Sequence, residues 1–248
     1  GITEVEFYVD GSLIKTDTNP PYNFTDDYSN GSYVIEAVAY DDCGETRVTK
    51  GLNVGAFTTT KNSRIITGND DVEETEAGLL YYDSTDLEMV YDGHTEFGPA
   101  NGYQKIGLRF QNVSIPYGAT ITNAYIQFRS DEANSETAQL LISAEDNGNA
   151  SEFNDASNVS ARNRVSGSVN WNPAAWTGSG QTGSAQQTPD ISSLLQQVVD
   201  RCDWQQGNSS VFIVEGTGVS LTNEDAKRVA DPYEGGANNA PVLVYTFT

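Results

Sequence analysis

"KIGLRFQNVSIPYGATITNAYIQFRSDE", residues 105–132, reads as a strand, a turn and a second strand. In "KIGLRF", Lys105 and Arg109 share one face while Ile106, Leu108 and Phe110 share the other, the period of two that sets one face on a core and the other in water. Pro116 and Gly118 supply the turn, and "ATITNAYIQFRS" repeats the strand pattern with Arg129 outward at its end. On either side lie further strand-like runs: "RIITG" (64–68), "DLEMVY" (86–91), "AQLLISAED" (138–146), "SSVFIVEG" (209–216) and "APVLVYTF" (240–247). Their number and their Gly- and Asn-rich spacers predict a two-sheet sandwich. One helix interrupts them in "TPDISSLLQQVVDRCDW" (188–204), with Asp190 as N-cap and Ile191, Leu194, Leu195, Val198 and Val199 along one face.

The run 105–132, with "DDVEE", "DLEM", "VNWNPAAW", "TPDISSLLQQVV" and "APVLVY", resembles the jelly-roll modules of secreted bacterial proteins and carbohydrate-binding families. The resemblance spans residues 64–248. It implies a β-jelly-roll sandwich, a ligand-binding role and, since many such modules carry one, a structural calcium ion.

The N-terminal part is organised differently. "EVEFYV" (4–9) turns at Asp10–Gly11 into "SLIKT", and after "TNPPYNF" the stretch 31–54 gives strand, turn and strand again. The words "VEFYVDGSLI", "PPYNF" and "GSYVIEAVAYDDCGET" resemble bacterial immunoglobulin-like modules. Such modules usually open with two further strands, so the resemblance implies a truncated immunoglobulin-like β-sandwich. Either the chain is clipped from a longer one, or another segment or a neighbouring copy fills the open edge. The polar stretch "GAFTTTKNS" (55–63) reads as a linker, which divides the chain into an immunoglobulin-like domain at 1–55 and a jelly roll at 56–248. The whole is expected to be all-β, with one short amphipathic helix.

Composition narrows the partners. The 248 residues hold 35 Asp and Glu against 13 Lys and Arg, a net charge of -22, which repels nucleic acid and anionic membranes. Polyanionic ligands need a local basic patch or a bridging cation, so a neutral ligand is the simpler expectation. Cys43 and Cys202 lack any paired zinc spacing, and either one bridge or two free thiols is compatible with them. No apolar run approaches the ~20 residues of a membrane span. The chain reads as a mature or excised fragment of a protein that is secreted, extracellular or displayed at the cell surface.

Catalysis finds little support. His94 in "YDGHTEFG" is the sole histidine, so a serine-based triad would depend on a residue that reads as part of a turn. Paired carboxylates are abundant, but turn-borne acids are usually solvated. We therefore expect no enzyme.

"NDDVEETEAGLLYYDSTDLEMV" (69–90) packs eight acids into one stretch without a Lys or Arg. With Val72 and Leu87 inward, Asp71 and Glu73 should share one outward face and Asp86 and Glu88 another. Such clustering calls for a cation or for basic neighbours. The candidate calcium ligands are Asp70, Asp71, Glu73, Asp86 and Glu88; the candidate neutralising residues are Lys105, Arg109 and Arg129.

Sugars are held by aromatic faces and a few fixed hydrogen bonds. Tyr81, Tyr82, Tyr91, Tyr103, Tyr233 and Trp176 are the aromatic candidates, with Arg228 and Lys227 as hydrogen-bond donors. Trp171 and Trp204 also carry broad faces, although a Trp beside Pro often clamps a loop to the core. The expected function is non-catalytic binding of a polysaccharide. The alternative is a structural or adhesive surface protein with no glycan ligand.

Overall fold

The structure is a computed structural model that describes residues 1–29, 31–55, 58–93, 102–155 and 158–248. It forms two compact units, Gly1–Phe57 and Thr58–Thr248. Both are built of antiparallel strands, and the α-helix described is short, so the protein is all-β.

The first unit holds β1 (Glu4–Val9), β2 (Ser12–Asp17), β3 (Gly31–Asp41) and β4 (Gly44–Val54), in the sheet order β2-β1-β3-β4. Asp10 and Gly11 both have positive φ, 49° and 77°, the backbone that lets a tight hairpin follow the twist of its strands. Val5, Val9 and Val38 are buried, and Phe24 folds back to stack on Phe7 with ring centroids 5.6 Å apart. Leu13, Ile14, Val34, Val48 and Leu52 remain exposed. A single sheet has one layer of backbone between its faces, and among the described residues no second sheet of the unit covers either one.

The second unit contains β5 (Thr59–Arg64), β6 (Asp71–Thr75), β7 (Leu80–Tyr81), β8 (Leu87–Met89), β9 (Gln104–Phe110), β10 (Ile121–Gln127), β11 (Leu140–Ala144), β12 (Val169–Trp171), β13 (Ser210–Gly216), β14 (Arg228–Ala230) and β15 (Val242–Phe247). They form a three-stranded sheet β10-β15-β5, a six-stranded sheet β12-β11-β13-β9-β6-β7 and a β14-β8 ribbon. Ile106, Leu108 and Phe110 from the large sheet meet Ile126, Leu243 and Tyr245 from the small one in a common core. Helix α1 (Ser192–Val199) adds Leu194, Leu195, Val198 and Val199 to that core, so its apolar face is the one read from the spacing. Its start differs. Ile191 is the N-cap, and Asp190, one residue earlier, accepts from Ser192 N and from Ala124 N on β10, which ties the start of the helix to the sheet.

The outer face of the large sheet is not simply solvated. Val72, Phe153, Val159, Val211 and Ile213 form a second small core there, under the long loop after β11. Gly107 sits beneath it, with room for no side chain: a Cβ would lie 2.5 Å from Phe153 Cζ and 2.8 Å from a Val159 methyl.

Candidate functional site

The second core reverses the expected direction of the acidic strand. Val72 is buried on the outer face, so by alternation Asp71 and Glu73 point inward, beside their register partners Leu108 and Ile106. Both are almost fully buried. The outward acidic face expected for Asp71 and Glu73 is not found, because two cores flank the sheet and Val72 is buried in the outer one.

Each of the five candidate calcium ligands is held by its own partners. Asp70 is buried against Arg109, with Nη1 to Oδ1 at 2.6 Å, and also accepts from Gln111 Nε2 at 2.6 Å. Asp71 accepts from Tyr233 N at 2.7 Å. Glu73 accepts from Glu88 N at 2.8 Å and Gln104 Nε2 at 2.9 Å. Glu88 meets Lys227 Nζ at 3.2 Å, and Asp86 accepts from Ser84 Oγ. The five candidate calcium ligands are thus not drawn to one point, and among the described residues no group of three or more Asp, Glu, His or Cys is arranged to hold a metal. Of the basic residues expected to neutralise the stretch, Arg109 does so through Asp70, while Lys105 pairs with Glu215 at 3.2 Å and Arg129 with Asp231 at 2.5 Å. The pairing of Lys227 with Glu88 follows from β14 lying against β8, a contact between distant segments.

The interior carboxyls are perturbed. Burial, with Glu234 and Asp70 adding repulsion, pushes Asp71 up to about 8. Burial pushes Glu73 well above the usual carboxylate range, and Glu88, Asp86 and Asp92 add to it. Glu88 is raised to about 7 by burial, with the Lys227 ammonium pulling the other way. For Asp71 and Glu73 the shifts have burial as their main cause and favour the neutral, protonated carboxyl in the core.

Two of the candidate ligand residues belong to the interior. Trp176 is wholly buried and donates Nε1–H to Ala185 O at 2.8 Å, so its face is not offered to a sugar. Arg228 is likewise buried, its guanidinium donating to the carbonyls of Ala174, Glu136, Lys227 and Pro173; four loop carbonyls need a donor there, and a guanidinium satisfies them. Trp171 stacks on Phe128 and Trp204 donates to Ile115 O, both in the core. Tyr82 packs against the second core and reaches Asp155 Oδ1, and Tyr233 packs on the main one. Tyr81 borders a small acidic recess with Glu73, Asp83, Ser84 and Asp92. His94 lies outside the described residues. Both cysteines are free and exposed.

Tyr91 and Tyr103 are brought together. They are bridge partners across antiparallel backbone, with ring centroids 5.3 Å apart and planes at 67°. Tyr103 lines a groove of about 170 Å³ with Glu74, Glu76, Lys105, Ser160 and Glu215. The groove floor is a row across three strands: Glu74 is the register partner of Lys105 on β6 and β9, and Glu215 on β13 stands beside it. Lys105 also donates to Ser160 Oγ at 2.9 Å, and Ser160 N donates to Glu74 Oε2 at 2.7 Å. Glu74 was visible within the acidic stretch, but its neighbours on this face depend on strand order, so spacing alone could not assemble the row.

The geometry defines a class, an all-β protein with a polar and aromatic groove on the outer face of a sheet. Residues 1–37 match the family model described as a bacterial Ig domain, in keeping with the first sheet. None of the curated proteins matches the chain. Among solved structures, one titled SusE-like protein is 9% identical over 99% of this chain and 90% of its own, with a TM-score of 0.27. No helix among the described residues is long and apolar enough to cross a membrane.

Proposed function

We propose that the second unit is a non-catalytic carbohydrate-binding module of the jelly-roll kind, and that it tethers a surface or secreted protein to a polysaccharide. The observation that carries this reading is the groove in which the Tyr103 ring, braced edge-on by Tyr91, borders the hydrogen-bonding row of Glu74, Lys105 and Glu215. An aromatic face beside fixed donors and acceptors suits a pyranose, whose C–H surface is apolar and whose rim is polar. At about 170 Å³ the groove is smaller than the roughly 300–1,000 Å³ of pockets that enclose a small molecule. It would hold one side of a chain and leave the rest in water, as tethering requires; weak sites of this kind gain through repetition.

A glycan array followed by calorimetry on the wild type and Tyr103→Ala tests it. Binding to a neutral glycan, with roughly tenfold or greater loss in the variant from the lost stacking energy, supports the reading. Silence across neutral and acidic glycans, or equal binding by the variant, removes it, and steady release of sugar from a bound glycan would make the protein a hydrolase instead.

The exposed Val48, Leu52, Leu13 and Ile14 of the first unit favour a second reading, a structural or adhesive role in which that sheet meets another protein surface. Assembly in sedimentation without glycan would support it.

A further inference from the structure

In a chain of net charge -22 most cations of the second unit are neutralised by a carboxylate or buried against carbonyls, as for Arg109, Arg129, Arg162 and Arg228. Arg64 is not. Among the described residues it makes no ion pair; Nη1 donates to Ala240 O at 2.5 Å, which leaves most of the guanidinium's N–H donors unspent. Arg64 stands at the end of β5 in a row with Val242 and Gln127, its register neighbours across β15 and β10. Leu243 and Ile126, next along those strands, enter the core, so the row faces outward.

Over that row lies a pocket of about 70 Å³ lined by Arg64, Gln127, Arg129, Thr182, Asn238 and Asn239. Among the described residues no carboxylate lines it. Arg129 commits Nη1 to Asp231, 2.5 Å away, so the uncompensated charge is that of Arg64, while Arg129 can add directional N–H groups. The side-chain amides of Asn238 and Asn239 and the hydroxyl of Thr182 make no hydrogen bond within the described chain, so further donors are at hand. A small cavity rich in donors, with one net positive charge, is the chemistry that recognises an oxyanion. The surrounding acidity does not prevent this, since charges beyond about 10 Å are largely screened at 0.1 M salt, whereas the guanidinium acts at contact.

We infer that this pocket is a second binding site, distinct from the Tyr103 groove, and that it takes a single oxyanion group, a carboxylate or a sulfate, carried on an acidic glycan. The inference rests on the glycan-binding reading only for the carrier of the group. It supplies the local basic patch that a chain of this charge needs before it can hold an anionic sugar.

The test titrates the full chain with three oligosaccharides of matched length: an oligogalacturonate, a sulfated galactan fragment and its neutral, desulfated counterpart. At least one acidic ligand should bind more tightly than the neutral one, and Arg64→Gln should weaken that binding by roughly tenfold or more, as expected for loss of a charged hydrogen bond, with little change in neutral binding. Asn238→Asp, an exposed substitution that keeps Arg64 and its bond to Ala240, should weaken acidic binding in the same direction by setting a carboxylate at the pocket; it keeps the test decisive if Arg64→Gln fails to fold. Preference for one acidic ligand identifies the group as carboxylate or sulfate. If neither acidic ligand binds better than the neutral one, or if Arg64→Gln and Asn238→Asp both bind acidic ligands as the wild type does, the site does not exist. Neutral binding lost in Tyr103→Ala but kept in Arg64→Gln would leave the groove reading standing either way.

Discussion

At the scale of single residues, Gly107 and Arg162 show how the outer core constrains its neighbours. A methyl at position 107 collides with the Phe153 ring and a Val159 methyl, both packed in an enclosed cluster and unable to retreat into solvent. Gly107→Ala is therefore expected to cost about 1–3 kcal/mol, the range for overpacking, read as a lower urea midpoint with unchanged slope; an unaltered midpoint would show that the loop yields freely. Arg162 lies within the same loop and ties its parts together. Its Nη1 lies 2.5 Å from Glu145 Oε2, both side chains being buried, its Nη2 donates to Glu152 O, and its guanidinium lies 4.1 Å above the Phe153 ring. Arg162→Met strands the Glu145 carboxylate in the interior and should cost about 3–5 kcal/mol. Adding Glu145→Gln should recover part of that loss, and a double variant as weak as the single one would refute the assignment to a stranded charge.

At the scale of elements, β6 is a strand whose polar residues turn toward the main core. Asp71, raised to about 8, Glu73, raised well above its usual range, and Glu88 on β8, raised to about 7, hold protons in the folded chain that the unfolded chain has released. Between about pH 4 and pH 8 the folded state binds more protons than the unfolded one, so these groups make stability fall as pH rises through that window. Their contribution is full below pH 4 and lost as each folded-state value is passed. The melting temperature should accordingly be higher at pH 5.5 than at pH 8.5. Glu73→Gln, which stays neutral at either pH and keeps an acceptor for Glu88 N, should flatten the difference; a melting temperature that climbs toward pH 8.5 in the wild type would contradict the burial of these acids as protonated groups. The strand's existence was legible in "DDVEE", but its facing was not. Alternation says which residues share a side, and only the presence of a core on each side of the large sheet decides where each side points.

At the scale of the whole molecule, the two units differ in what they bury. The second encloses apolar side chains between two sheets and beneath a helix, whereas the first is one sheet with large apolar residues left in solvent. At 57 residues a unit buries only about 60% of the surface its unfolded chain exposes and is correspondingly marginal. Amides of β1 and β3 are expected to exchange with solvent at lower opening free energies than those of β9 and β13. Equal protection, measured by native-state hydrogen exchange, would show that something covers the first sheet in solution.

The sequence by itself determined the all-β class, most of the strands, the apolar face of the helix and the hairpin at Asp10–Gly11, because these depend on local periodicity and turn chemistry. It also narrowed the aromatic candidates to a set that contains Tyr91 and Tyr103. Tertiary structure alone decided that Trp176 and Arg228 are interior, that Lys227 answers Glu88, that Glu74, Lys105 and Glu215 form one row, and that Arg64 makes no ion pair among the described residues. Each of these depends on strand order, which brings residues far apart in the chain into register, and no spacing along a single strand encodes its neighbour.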